Sequence, residues 1–299
     1  MTGDIELPDE PTGHVDDDRV ASLWGDAWRA LIRKPVFVIS GLLIIVIVLM
    51  AAFPGLFTSK DPRACPLSEA LQTPSAEHWF GTDVQGCDYY ARTIYGARVS
   101  ITIGLIVTTF ALTIALIGGS ISGYYGGLVD TLIARVTDMW FAIPTILGGI
   151  VILALFQQRG VAQVSLVLIV LGWPTMLRLV RSSVISVKET EYVDSARALG
   201  ATDFRIITRH ILPNSLAPVI VYATITVGVV IAAEAALSFL NVGLQLPAIS
   251  WGLMISNAQN RILTAPHLLL FPGAVLSVTV FSFILMGDAL RDALDPKLR

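Results

Sequence analysis

VFVISGLLIIVIVLMAAFPGLF, residues 36–57, passes through 22 positions without one charged side chain. About 20 such residues in a helix cross a hydrocarbon core about 30 Å thick. Working outward, five more stretches of that kind lie near 99–123, 131–156, 161–180, 216–240 and 268–287. The expectation is an all-α integral membrane protein with six transmembrane helices. Composition agrees, since 54% of the 299 residues are hydrophobic and 14% charged, with a mean hydropathy of +0.71. A soluble enzyme would need a polar shell that these residues cannot supply, so a lipid membrane is the expected surrounding. A net charge of −3 gives no basic excess of the kind that draws nucleic acid.

The Lys and Arg distribution orients the chain. With six spans both termini share a side, and placing them in the cytoplasm puts 14 of the 20 Lys and Arg residues inside. Residues 1–18 then form an acidic, disordered tail with seven carboxylates, unlike the basic start of a cleavable signal. Over 19–35, Val20, Leu23, Trp24, Ala27, Trp28 and Leu31 make one helical stripe. That stripe suits an interfacial amphipathic helix, or one packed on neighbouring protein. The first span is 36–57, and 58–98 is an extracellular segment too polar for lipid. The core of the protein is 99–290, including a cytoplasmic loop at 181–215, and 291–299 is a cytoplasmic C-terminus.

Several chemistries lack their residues. None of the four lysines, Lys34, Lys60, Lys188 and Lys297, sits in a phosphate-cradling loop. The histidines, His14, His78, His210 and His267, are scattered, so no metal or catalytic residue is assigned. No GxSxG elbow occurs.

The informative loop is TEYVDSARALGATDFRIITRHILP, residues 190–213. It reads as two short helices hinged at Gly200. Tyr192, Val193, Ala196 and Leu199 give the first an apolar side; the second starts at Thr202 or Asp203, carries Phe204, Ile207 and Ile211 on one face, and ends at Pro213. From pattern alone, the pair docks a partner or lies on the bilayer.

Its spacing resembles the Glu-Ala-Ala signature of permease subunits of ATP-driven (ABC) importers. Asp194, Ser195 and Ala196 are followed after three residues by Gly200, and after nine more by His210, any residue, Leu212 and Pro213. The departures are Asp for Glu, Ser for Ala and His for Ile. FGTDVQGCDYYARTIYGARVS (80–100), GYYGGLVDTLIARVTDMWFAIP (123–144), AEAALSFLNVGLQLPAISWG (233–252) and GDALRDALDPKLR (287–299) extend the resemblance. Together they are similar to the C-type membrane subunit of dipeptide/oligopeptide/nickel permeases.

The resemblance implies a type I importer fold with a cytoplasmic coupling helix, in the inner or plasma membrane. It implies alternating access with a second related permease subunit, cytoplasmic ATPase subunits and an extracellular substrate-binding protein or lipoprotein. The chain itself would be no enzyme and hold no cofactor, with ATP and Mg on the ATPases. The substrate would be peptide-like, dipeptides or short oligopeptides, with a nickel complex, glutathione or haem as alternatives. Asp194, Ser195, Ala196, Leu199, Gly200, His210, Leu212 and Pro213 would form the coupling element, with Ala196 and Gly200 allowing close approach to the ATPase.

Within the spans, Glu234 is a carboxylate among apolar residues. It is a candidate pathway or gate residue, or a structural tie to Ser238 and Asn241. Arg135 with Asp138, and Asp288 with Arg291, are spaced as local ion pairs. Gly119, Gly123 and Gly127 are spaced for close helix packing. Cys65 and Cys87 both fall in the outer segment, which suits a disulfide. Otherwise they are unrelated residues, Cys87 standing where the similar family often has Arg. An ion-coupled carrier would need inverted repeats and several buried titratable groups. A membrane scaffold or sensor would not need the signature loop.

Overall fold

Pro35 fixes the first turn of α1 (Pro35–Ala52), and Pro54 follows its end. The computed structural model describes residues 31–294. The acidic segment 1–18, the amphipathic stretch up to residue 30 and residues 295–299 lie outside the described residues. Helix α2 (Tyr89–Tyr125) begins where the Asp88 side chain accepts from the Ala91 N–H at 2.8 Å. It starts ten residues before the expected 99–123 span. Arg92 and Arg98 made that stretch read as polar loop. Protein shields both: Arg92 pairs with Asp83, and Arg98 Nε donates to the Ala51 carbonyl at the end of α1 at 2.9 Å.

The chain then reverses through Gly126 and Gly127, with φ of 66° and 55°, values that side chains resist. The expected third span, 131–156, is instead two helices, α3 (Gly127–Phe141) and α4 (Thr145–Leu153), meeting at 81°. Pro144 is the cause. It denies the ladder a donor and forces the residue before it away from helical geometry.

Helix α5 (Val161–Lys188) packs along α2. A Cβ on Gly119 would meet Val180 Cβ at 2.8 Å, and one on Gly123 the Arg181 carbonyl at 2.9 Å. Both glycines therefore permit close approach. Gly127 does not share that role: open space surrounds it.

The short helix α6 (Glu191–Ala198) leads to α7 (Asp203–Ile206), a π turn (Ile207–Ile211) and α8 (Leu212–Phe239). Pro213 was expected to stop a helix. It sits in the first turn of α8 instead, and the wider π turn precedes the place where its missing N–H would break the α ladder. Helix α9 (Trp251–Ala258) tucks between α8 and α10 (His267–Leu294), capped by Ser250, whose Oγ accepts from the Leu253 N–H at 3.2 Å. Five of these units are long and apolar enough to cross a membrane, or six if α3 and α4 count as one broken span.

The proposed local ion pairs are also redrawn. Asp138 pairs with Arg178 of α5 at 2.6 Å rather than with Arg135. No ion pair joins Asp288 to Arg291 among the described residues; near that end Lys34 meets Asp292 at 3.1 Å. Arg178, from a helix packed across the fold, thus reaches Asp138 where Arg135, one turn away, does not.

Candidate functional site

The loop 190–213 has a buried side and an outward side. Val193, Ile206 and Ile211 are buried in one apolar cluster with Tyr124 of α2 and Val180 of α5, and Ala196 is buried as well. Leu199 and Phe204 are 88% and 77% exposed, and Tyr192 is also exposed. Between them the backbone turns at Gly200, φ 77°, whose N–H donates to the Arg197 carbonyl at 3.0 Å. The Ala201 N–H donates to the Ala196 carbonyl at 3.1 Å, and these two bonds make a Schellman closure. Ala196 is buried on the side of the loop that faces this chain. Leu199 and Phe204 form the outward apolar edge.

Charged and hydroxyl groups anchor the loop. The Tyr124 hydroxyl donates to Asp203 Oδ1 at 2.7 Å, and Lys188 Nζ donates to the Tyr124 carbonyl at 2.6 Å. Arg181 Nη2 donates to Asp130 Oδ2 at 2.6 Å, fastening the start of α3 to α5. Asp194 is exposed and accepts from Arg197 Nη1 at 2.7 Å, while Ser195 Oγ donates to the Glu191 carbonyl. The His210 carbonyl accepts from Asn214, and Leu212 and Pro213 open α8.

A cleft of about 380 Å³ opens between the α3–α4 bend, α5 and α8. Trp140, Thr145, Thr175, Tyr222 and Thr226 supply its polar groups, and among the described residues no charged one lines it. Glu234 is not part of its wall. The Glu234 side chain is fully buried, where Ser238 Oγ and Ser250 Oγ both donate to Oε1, at 2.8 and 3.0 Å. Asn241 is not its partner, because Asn241 Oδ1 accepts from Ser256. Sequence reasoning missed the cleft, although Tyr222, Thr226, Val229 and Ala233 fall three to four residues apart on α8, as one face requires.

Cys65 and Cys87 form a disulfide just before α2. Beside it Lys60 Nζ donates to Asp88 Oδ2 at 2.9 Å, and His78 Nδ1 lies at the same distance from that oxygen. Arg92 Nη1 reaches Cys87 Sγ at 3.3 Å.

Apolar helices around a bent pair and an uncharged cleft, with an anchored loop at one end, define a helical membrane permease. Residues 114–299 match the family described as "Binding-protein-dependent transport system inner membrane component", and residues 22–74 match the "N-terminal TM domain of oligopeptide transport permease C". The chain belongs to this family of ABC importer permeases.

It is 41% identical to the dipeptide transport system permease protein DppC of Alkalihalophilus pseudofirmus, over 97% of this chain and 96% of the relative. Against the oligopeptide transport system permease protein OppC of Bacillus subtilis the identity is 38%, over 93% and 91%. Against the glutathione transport system permease protein GsiD of Pectobacterium atrosepticum it is 35%, over 95% of each. A chain from inward-facing structures of the MetNI methionine ABC transporter shares the fold, with a TM-score of 0.57 and 19% identity over 68% of this chain and 96% of that one. The protein is thus a multi-pass inner-membrane transport subunit, not an enzyme. Its family implies a partner permease, an ATPase and a substrate-binding protein.

Proposed function

We propose that this permease carries dipeptides or short oligopeptides into the cytoplasm by alternating access, and that its loop 190–213 is the element on which a cytoplasmic ATPase acts. The observation that carries the docking reading is the outward pair Leu199 and Phe204, on a loop whose remaining large aliphatic residues are mostly buried. Two large apolar groups on a rigidly closed turn suit an apolar recess in a partner. Asp194, Ser195, Gly200, His210, Leu212 and Pro213 shape and hold this element. ATP and Mg belong to the ATPase subunits, while a second related permease completes the pathway and an extracellular binding protein or lipoprotein delivers substrate.

Both ends of α2 support the orientation. At about 1.5 Å per residue, its 37 residues span about 55 Å. The disulfide adjoins one end, which suits an oxidising exterior, and the Arg- and Lys-rich loop adjoins the other, which suits the cytoplasm. Segment 58–98 is then external, while 181–215 and both termini are internal. The uncharged cleft favours a neutral, zwitterionic peptide, whose amides the Thr and Tyr hydroxyls can meet. It offers no cation from this chain to the extra carboxylate of glutathione. Uptake of radiolabelled peptides by vesicles holding the whole complex tests this reading. Uptake of glutathione but no dipeptide or oligopeptide would overturn the substrate assignment.

A further inference from the structure

Three elements meet at the inner end of α2, and different kinds of contact hold them. The α2–α5 pair is locked by glycine-permitted packing at Gly119 and Gly123. The Asp130–Arg181 pair ties the start of α3 to the same unit. On the other side of the loop, the π turn and Pro213 lead into α8, a run whose hydrogen bonding is already irregular. The loop is thus fixed toward α2 and α5 and pliable toward α8.

The buried cluster of Val193, Ile206, Tyr124 and Val180 resists compression, because close-packed side chains have no room to move together. Apolar packing resists separation but has little directionality, so it opposes sliding weakly. Tyr124 supplies the directional contact. Its ring is buried in the cluster, and its hydroxyl leaves the cluster to donate to Asp203 at the first residue of α7. Lys188 holds the Tyr124 carbonyl from the end of α5 and places its ammonium 5.6 Å from the ring centre. Tyr124 is therefore bonded at its main chain to α5 and at its tip to the loop, where Arg197 also interacts with the hydroxyl.

We propose that Tyr124 is a positioning residue for transport: through Asp203 it fixes the loop to α2, so that displacement of the loop in either direction passes to the α2–α5 pair. The proposal rests on the docking role assigned to the loop above.

The test uses the complete complex, with both permeases, ATPases and binding protein in lipid. Spin labels at Leu155 and Leu263, both exposed at the ends of α4 and before α10, report movement of α5 relative to α10. The probe is ATP with Mg and vanadate, so no substrate need be known. In wild type, trapping is expected to shift the label distance. In Tyr124→Phe and Asp203→Ala the ratio of shifted to unshifted complexes should fall about fivefold, the equilibrium change expected for one lost hydrogen bond. Asp203→Asn keeps an acceptor for the hydroxyl and should behave as wild type. Asp203 is exposed, so its variants fold even if Tyr124→Phe does not.

A merely structural role would lower thermal stability and leave the shifted fraction of the folded complex unchanged. An unchanged fraction in Asp203→Ala, or no shift in wild type, overturns the proposal. Cross-linking from Leu199 to the ATPase is measured in the same samples. Its absence in wild type would remove the docking role itself; its presence alongside an unchanged fraction would remove only the role of Tyr124.

Discussion

Ser250 Oγ and Glu234 Oε1 lie 3.0 Å apart, joining the cap of α9 to the C-terminal half of α8. Ser238 donates to the same oxygen, so one carboxylate holds two hydroxyls in a site closed to water. This makes Glu234 a tie between helices, away from the cleft wall. Glu234→Gln retains an oxygen acceptor and should keep transport near wild type. Glu234→Ala leaves two buried hydroxyls without that acceptor and should cost about 2–4 kcal/mol, read as a lower apparent Tm of the complex. Transport abolished in a normally folded Glu234→Gln complex would return the residue to the pathway.

The cleft can be blocked without disturbing packing. A Cβ at Gly172 of α5 would meet nothing within 4 Å, and the residue lines the cleft. Gly172→Leu should therefore be accommodated, and its helix even favoured by about 0.5–1 kcal/mol. Its side chain should obstruct passage, giving normal assembly and normal basal ATP hydrolysis with peptide uptake reduced about tenfold or more. Wild-type uptake would show that substrate passes elsewhere.

Much of this architecture was legible because lipid imposes a simple rule: an uninterrupted apolar run must be a helix. Residues 268–287 obeyed it directly, and 36–57 obeyed it as far as Ala52, beyond which Pro54 ends the helix. The rule misread Tyr89–Arg98, where two arginines are satisfied by protein partners, one 9 and the other 47 residues away, and 131–156, where Pro144 turns an apolar run into two helices. The loop 190–213 showed its hinge, because Gly200 is a local requirement. Which of its apolar residues face inward was not legible, since Val193 and Leu199 look alike in sequence and are separated only by the neighbouring α2 and α5. Likewise the Tyr124–Asp203 bond spans 79 residues and leaves no local signature.

The docking surface predicts a contrast between two apolar residues. Leu199→Asp places a charge on the exposed edge and should weaken ATPase association, whereas Val193→Asp buries a charge and should destabilise the permease itself. Phe204→Ala should weaken association by about 1.5–3 kcal/mol if the ring is fully covered in the complex. Quantitative co-purification separates these outcomes. Undiminished ATPase recovery with both Leu199→Asp and Phe204→Ala would exclude this edge as the contact.

Acid should loosen the segment 58–88 through Asp88. Burial raises the pKa of this carboxyl, but bonds from the Ala91 N–H, Lys60 and His78 outweigh it and leave it below the ordinary 3.8. A depressed carboxyl stabilises the fold fully above its unfolded value, and that stability is lost as pH falls through the folded value. Protease resistance of residues 58–88 should therefore decline as pH drops below about 4. Asp88→Asn keeps an oxygen to cap α2 but cannot ionise, so it should start weaker at neutral pH and lose less on acidification. Identical pH profiles for the two proteins would exclude Asp88 as the titrating group.

The disulfide closes a segment whose ends are 22 residues apart in sequence. On the chain-entropy argument, such a loop stabilises the folded segment by about 3 kcal/mol, through the freedom it removes from the unfolded chain. The bridge also sets the position of Cys87, whose N–H donates to Asp83 Oδ1 at 3.0 Å while Arg92 approaches its sulfur. Asp83 and Arg92 are themselves paired, so loss of the bridge should be felt at the first turn of α2 as well as in the loop. Cys65→Ser and Cys87→Ser each remove the same bond, and the double variant should lose no more than the larger single loss. Cys87→Ser should be the costlier of the two, because Cys87 is buried beside Arg92 whereas Cys65 is partly exposed. Thermal unfolding of the four proteins, with and without reductant, measures both expectations: reductant should lower the wild type toward Cys65→Ser and leave the variants unmoved. Additive losses, or a wild type indifferent to reductant once the segment is unfolded, would mean that the two cysteines act separately.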